Sequence, residues 1–152
     1  MYSCYHYCVT LENGRPHIIE AHDLRANMRD VRENVDAPYA AHTAGRNAYA
    51  AGLSIMAMSG ARPDDFGPYP LTAEAIDALC RVAAALASFY AIPIDAGHIM
   101  THAEAAVLDG YFGVAEEERW DIARLTPSAL PLTARDAMET GDELRRRIAL
   151  SS

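Results

Sequence analysis

Hydrophobic and polar positions alternate near the start of the chain. Tyr5, Tyr7, Val9 and Leu11 interleave with Cys4, His6, Cys8 and Thr10, a period of two that predicts a strand. Asn13-Gly14 follows as a hairpin turn, since both residues tolerate positive φ. Pro16 to Glu20 is the expected return strand, with the proline at a first or edge position. Ala21 to Asn47 shows no clean period and predicts a long site-lining loop, with one helical turn around Leu24 to Val31. The apolar run Gly52 to Met58 predicts a central strand. Ser59 to Pro70, rich in proline and glycine, is a connection.

The period then changes. Ile76, Leu79, Cys80, Ala83, Leu86, Ala87 and Tyr90 recur at helical spacing. Thr72 is the expected N-cap, and Pro93 ends the helix. Ile92 to Ile94 and His98 to Thr101 predict a short connection and a strand. A C-terminal helical extension is expected over about 133–150, with Thr140-Gly-Asp-Glu143 as a capping box. The expected class is α/β: a single mixed β-sheet flanked by helices, in one domain over 1–152.

Composition narrows the partners. Half of the 152 residues are apolar, enough for a core, and 21 acidic against 13 basic residues give a net charge of −8. That balance disfavours nucleic acid, which needs a basic stripe, and an anionic membrane or wall surface. Arg145-Arg146-Arg147 sits among Glu139, Asp142 and Glu143 and reads as a solvated helix face. Cys4, Cys8 and Cys80 cannot all pair with one another and match no zinc-ribbon spacing, which points to a reducing compartment. The first residues show neither a charged n-region nor an apolar h-region, so no signal peptide is expected. A cytoplasmic location follows, with access to a cell wall only on lysis.

Six histidines are present, and singly each is more often structural than functional. His102, in Met100-Thr-His-Ala-Glu104, and Asp121, in Glu118-Arg-Trp-Asp-Ile122, have side chains suited to zinc. Arg119 could offset an oxyanion beside that metal, or pair with Glu116 or Glu117; spacing leaves both open.

Four ordered segments carry a resemblance. They are Tyr5-His-Tyr-Cys-Val-Thr-Leu-Glu-Asn-Gly14; Ala41-His-Thr-Ala-Gly-Arg-Asn47 with Gly52 to Met58; Pro70-Leu-Thr, the long helix and Tyr90-Ala-Ile-Pro93; and Thr101-His-Ala-Glu104 with Arg119-Trp-Asp-Ile122. From about Tyr5 to Leu125 the chain resembles the zinc-dependent N-acetylmuramoyl-L-alanine amidases, which include phage lysozyme-type enzymes and peptidoglycan recognition proteins. The resemblance implies that fold without its usual first strand, and zinc-dependent cleavage of the N-acetylmuramoyl-L-alanine amide in a phage or prophage setting. It implies His102 and Asp121 as zinc ligands, Tyr5 and Arg119 as catalytic groups, and Glu104 as an acceptor for the other nitrogen of His102. His6, His42, Thr43 and Asn47 would line the ligand groove.

The family's first zinc ligand, on its first strand, has no counterpart here; His6 and His42 are the best-placed substitutes. The alternative expectation is an inactive amidase-fold protein that binds a peptidoglycan fragment or another small ligand. A missing strand would also leave a sheet edge able to pair with a second copy, hence a possible homodimer.

Overall fold

The computed structural model describes residues 4–29, 38–113 and 120–152. Among the described residues it is α/β: a three-stranded mixed sheet and three α-helices. The chain divides into two compact units, Met1–Met56 and Ala57–Ser152.

The first unit holds the sheet, in the order β2-β1-β3. Strands β1 (Tyr7–Glu12) and β2 (Arg15–Glu20) form the predicted hairpin, with Tyr7 opposite Glu20 and Glu12 opposite Arg15. Asn13 and Gly14 take φ of 52° and 74°, the left-handed pair that a two-residue turn needs. Strand β3 (Leu53–Ile55) runs parallel to β1. The central strand is therefore β1, with Cys8 and Val9 buried, and not the Gly52 to Met58 run. Only three residues of that run pair; the Met56 N–H bonds the Val9 carbonyl at 2.8 Å and the chain then leaves the sheet.

The predicted helical turn in the long loop is a short 3₁₀ helix, Leu24–Asn27, started by the Asp23 carboxylate accepting from the Arg25 N–H at 2.8 Å. Of the remainder of that prediction, Met28 and Arg29 are bends and residues 30 and 31 lie outside the described residues.

The second unit is helical. Helix α1 (Ala73–Tyr90) starts at Thr72, whose hydroxyl accepts from the Ala75 N–H at 3.2 Å, and ends on Ala91 in the left-handed region. Two predictions fail here. No strand forms at His98 to Thr101, because the Asp95 carboxylate accepts from the Gly97 N–H, the His98 N–H and the His98 ring. Such an Asx turn offers the backbone an alternative to a ladder. The last helix, α3 (Ala134–Leu150), fills the expected range of about 133–150, but its capping box is Thr133 with Asp136 and not Thr140 with Glu143. Thr140 lies in its interior.

Between them is α2 (His102–Asp109), which the spacing did not predict. Its capping box is Thr101 and Glu104, and Gly110 closes it with φ 80°. Ala103 of α2, Ala137 of α3 and Ala123 are fully buried together, with Val107, Phe112, Trp120 and Leu132 packed around them. Small side chains let these three segments approach closely. No helix among the described residues is long and apolar enough to cross a membrane.

Candidate functional site

In the second unit His102 opens α2, one residue after its N-cap. Asp121 sits between Trp120 and Ala123, both part of the small apolar cluster. The fold brings these distant residues together, with His102 Nδ1 3.5 Å from Asp121 Oδ2. His102 is mostly covered, at 19% exposure, whereas Asp121 is half open, at 53%. The Tyr111 ring lies edge-on to His102, with centroids 6.4 Å apart.

Two ligands sharing a tetrahedral zinc, with bonds of about 2.0–2.1 Å, stand about 3.3 Å apart. The observed 3.5 Å fits two corners of such a site. Among the described residues no group of three or more His, Cys, Asp or Glu side chains is placed to hold a metal. The pair therefore fits part of a zinc site.

Glu104 has a different place from the one expected. It is 1% exposed, and Arg145 of α3 grips it with both terminal nitrogens, at 2.7 and 3.1 Å. Its Oε2 also accepts from the Thr101 N–H at 2.8 Å. The carboxylate is thus spent on the helix start and on Arg145, not on the imidazole of His102. Arg119 lies outside the described residues.

The first unit gathers Tyr5, His6, His42, Thr43 and Asn47. The rings of Tyr5 and His42 stack at 6.4 Å, and His6 meets His42 edge-on at 5.8 Å. His6 is fully buried and its Nδ1 accepts from the Gly52 N–H at 2.9 Å. Burial, and the neighbouring His42 and His22, lower its pKa to about 4, so the ring is neutral at pH 7. A neutral ring whose Nδ1 accepts must carry its proton on Nε2. That nitrogen has no hydrogen-bond partner among the described residues. The lone pair of the ring, on Nδ1, is thus engaged by the Gly52 N–H.

His42 places Nδ1 3.3 Å from the Thr43 hydroxyl and Nε2 3.4 Å from the Ala50 carbonyl. The carbonyl only accepts, which assigns the proton to Nε2 and leaves Nδ1 facing Thr43. Asn47 Oδ1 holds the loop by accepting from the His42 and Thr43 N–H groups, at 2.9 and 2.7 Å. Asn27 organises the same loop and has no sequence signal beyond lying in it. Its amide donates to the Ala40 and Asn47 carbonyls and its oxygen accepts from the Ala40 N–H, all within 2.9 Å.

Comparison with protein-family models, curated proteins and solved structures gives no match. What the geometry itself defines is an α/β protein with a His–Asp pair whose histidine is mostly covered and whose aspartate is half open.

Proposed function

We propose that this chain is an amidase-fold protein acting on peptidoglycan, a zinc-dependent hydrolase of the N-acetylmuramoyl-L-alanine amide. The observation that carries the reading is the approach of His102 to Asp121, two residues from separate motifs whose donor atoms stand one zinc-tetrahedron edge apart. His102 Nδ1 and Asp121 Oδ2 would hold the metal. When bound, zinc supplies a carbonyl-polarising charge and a water of pKa about 7. His102 is mostly covered, with the Tyr111 ring edge-on to it, while the exposed Asp121 leaves that side open to a substrate. The parts of Tyr5 and Arg119, hydrogen-bond donors to the oxyanion, rest on the resemblance alone.

The test is metal analysis of the purified chain beside His102→Ala and Asp121→Ala, followed by muropeptide hydrolysis with and without chelator. One zinc per chain, lost in both variants, with chelator-sensitive cleavage is the expected result. A second reading, a groove that binds a muropeptide without cutting it, is favoured by the two-residue metal set found among the described residues. Zinc-free protein that binds a muramyl peptide and leaves it intact would replace the first reading with the second.

A further inference from the structure

His102 opens the short helix α2, Asp121 lies in a segment without regular structure, and both segments are fastened to α3. On the His102 side, Arg145 reaches across to three anchors. Its Nη1 donates to the Ile99 carbonyl at 2.8 Å and to Glu104 Oε2 at 3.1 Å, and its Nη2 to Glu104 Oε1 at 2.7 Å. Glu104 in turn accepts from the Thr101 N–H, and the Thr101 hydroxyl accepts from the Glu104 N–H at 3.0 Å. The backbone of His102 is pinned immediately before and two residues after. Gly141 makes the approach possible, since a Cβ there would overlap the Glu104 carboxylate.

On the Asp121 side, the buried Thr140 hydroxyl donates to the Ala123 carbonyl at 2.8 Å. One turn earlier, Asp136 accepts from Arg124 at 3.2 and 3.3 Å. Asp136 and Thr140, four residues apart, lie on one face of α3, and Arg145 lies five residues further on, about 140° round the helix, so the two segments dock on different sides of α3.

A buried ion pair such as Arg145–Glu104 adds little net stability over apolar packing, because desolvation offsets the attraction. What it does supply is direction: a planar guanidinium accepts partners only in a fixed fork. We propose that α3 sets the separation of His102 and Asp121, with Arg145, acting through Glu104, and Thr140, acting through Ala123, as positioning residues. The functional meaning of this arrangement rests on the zinc reading above, though the positioning itself does not.

The test uses the full chain without metal and reads the ring-nitrogen NMR shifts of His102. Asp121→Ala supplies the reference for a lost contact, since an asparagine there would keep an accepting oxygen. Arg145→Gln and Thr140→Val are expected to move the His102 signals toward that reference. Arg145→Lys should fall between, and Thr140→Ser, which keeps the hydroxyl, should match the parent. Arg146→Gln is the control: it is on the same helix, and it loses the exposed bonds to Glu143 at 2.8 Å but touches neither segment. Its His102 signals should stay in place whatever its thermal stability.

His102 signals unchanged in Arg145→Gln and Thr140→Val, or shifted equally in Arg146→Gln, would overturn the proposal. Should Arg145→Gln not fold, the comparison of Thr140→Val with Thr140→Ser decides alone. Zinc affinity is measured separately. Parent protein that binds no zinc, with His102 shifting as expected, would sink the amidase reading and leave the positioning role standing.

Discussion

A single hydrogen bond governs what His6 can do. The Gly52 N–H occupies Nδ1, burial disfavours the charged ring, and the ring stays neutral down to a pH of about 4. In the unfolded chain the same ring titrates near its ordinary 6.5. Below that pH the unfolded chain takes a proton that the folded ring refuses. Stability is therefore complete above about 6.5, falls as the pH drops toward 4, and is flat below for this residue. The full loss is about 3 kcal/mol. Unfolding curves across this range should show that slope in the parent and lack it in His6→Gln, whose amide can still accept from Gly52. Asn27 acts through geometry alone. Asn27→Ala would strand one N–H and two carbonyls, at Ala40 and Asn47. Denaturant titration should register a loss of about 3 kcal/mol.

Elements whose signals are local were legible in the chain. The Asn13-Gly14 hairpin and the Thr72-capped α1 each declare themselves within a few residues. Helix α2 hid because its eight residues, HAEAAVLD, carry almost no polar face. Its Thr101…Glu104 cap reads equally well as a metal-ligand motif. The capping box of α3 is mistaken for a related reason, although the extent of the helix is not. Thr140 with Glu143 imitates a capping box, but the Thr140 hydroxyl is spent on Ala123, and the true cap uses an aspartate, Asp136. Of the candidate site, the partnership of His102 with Asp121 was readable from motifs. Capture of Glu104 by Arg145 was not, because the two are 41 positions apart. The contact is also tight at the element level. Gly141→Ala forces a Cβ onto the Glu104 carboxylate. A cost of about 1–3 kcal/mol is expected, seen as a lower Tm, in contrast to the gain an alanine usually brings inside a helix.

For the whole molecule, acid should act in two stages. The first unit contains His6 and weakens from about pH 6.5 downward, as argued above. The second unit is held by depressed carboxylates. Burial pushes the Asp136 carboxyl up, but the Thr133 hydroxyl and Arg124 outweigh it and its pKa falls. The Arg146 and Arg147 side chains bring Glu143 down to about 2. Groups depressed in the fold contribute stability above their ordinary range, near 4, and lose it as pH falls toward the folded value. Hydrogen exchange at stepwise lower pH should therefore open residues 4–29 and 38–56 before α3; simultaneous opening would contradict the assignment. The same second unit contains a stretch with almost no regular structure, 124–131, and Arg124 gathers it. The guanidinium binds the carbonyls of Ser128, Leu130 and Pro131 at 2.7 to 3.2 Å. Every residue type offers a carbonyl, so the clasp is blind to the identity of the side chains it encloses. These three bonds therefore ask nothing of the side chains of residues 125–130, and the path of the segment depends instead on Arg124, on the Asp136 that holds it and on the Ser128 hydroxyl, which accepts from the Leu130 N–H at 3.2 Å.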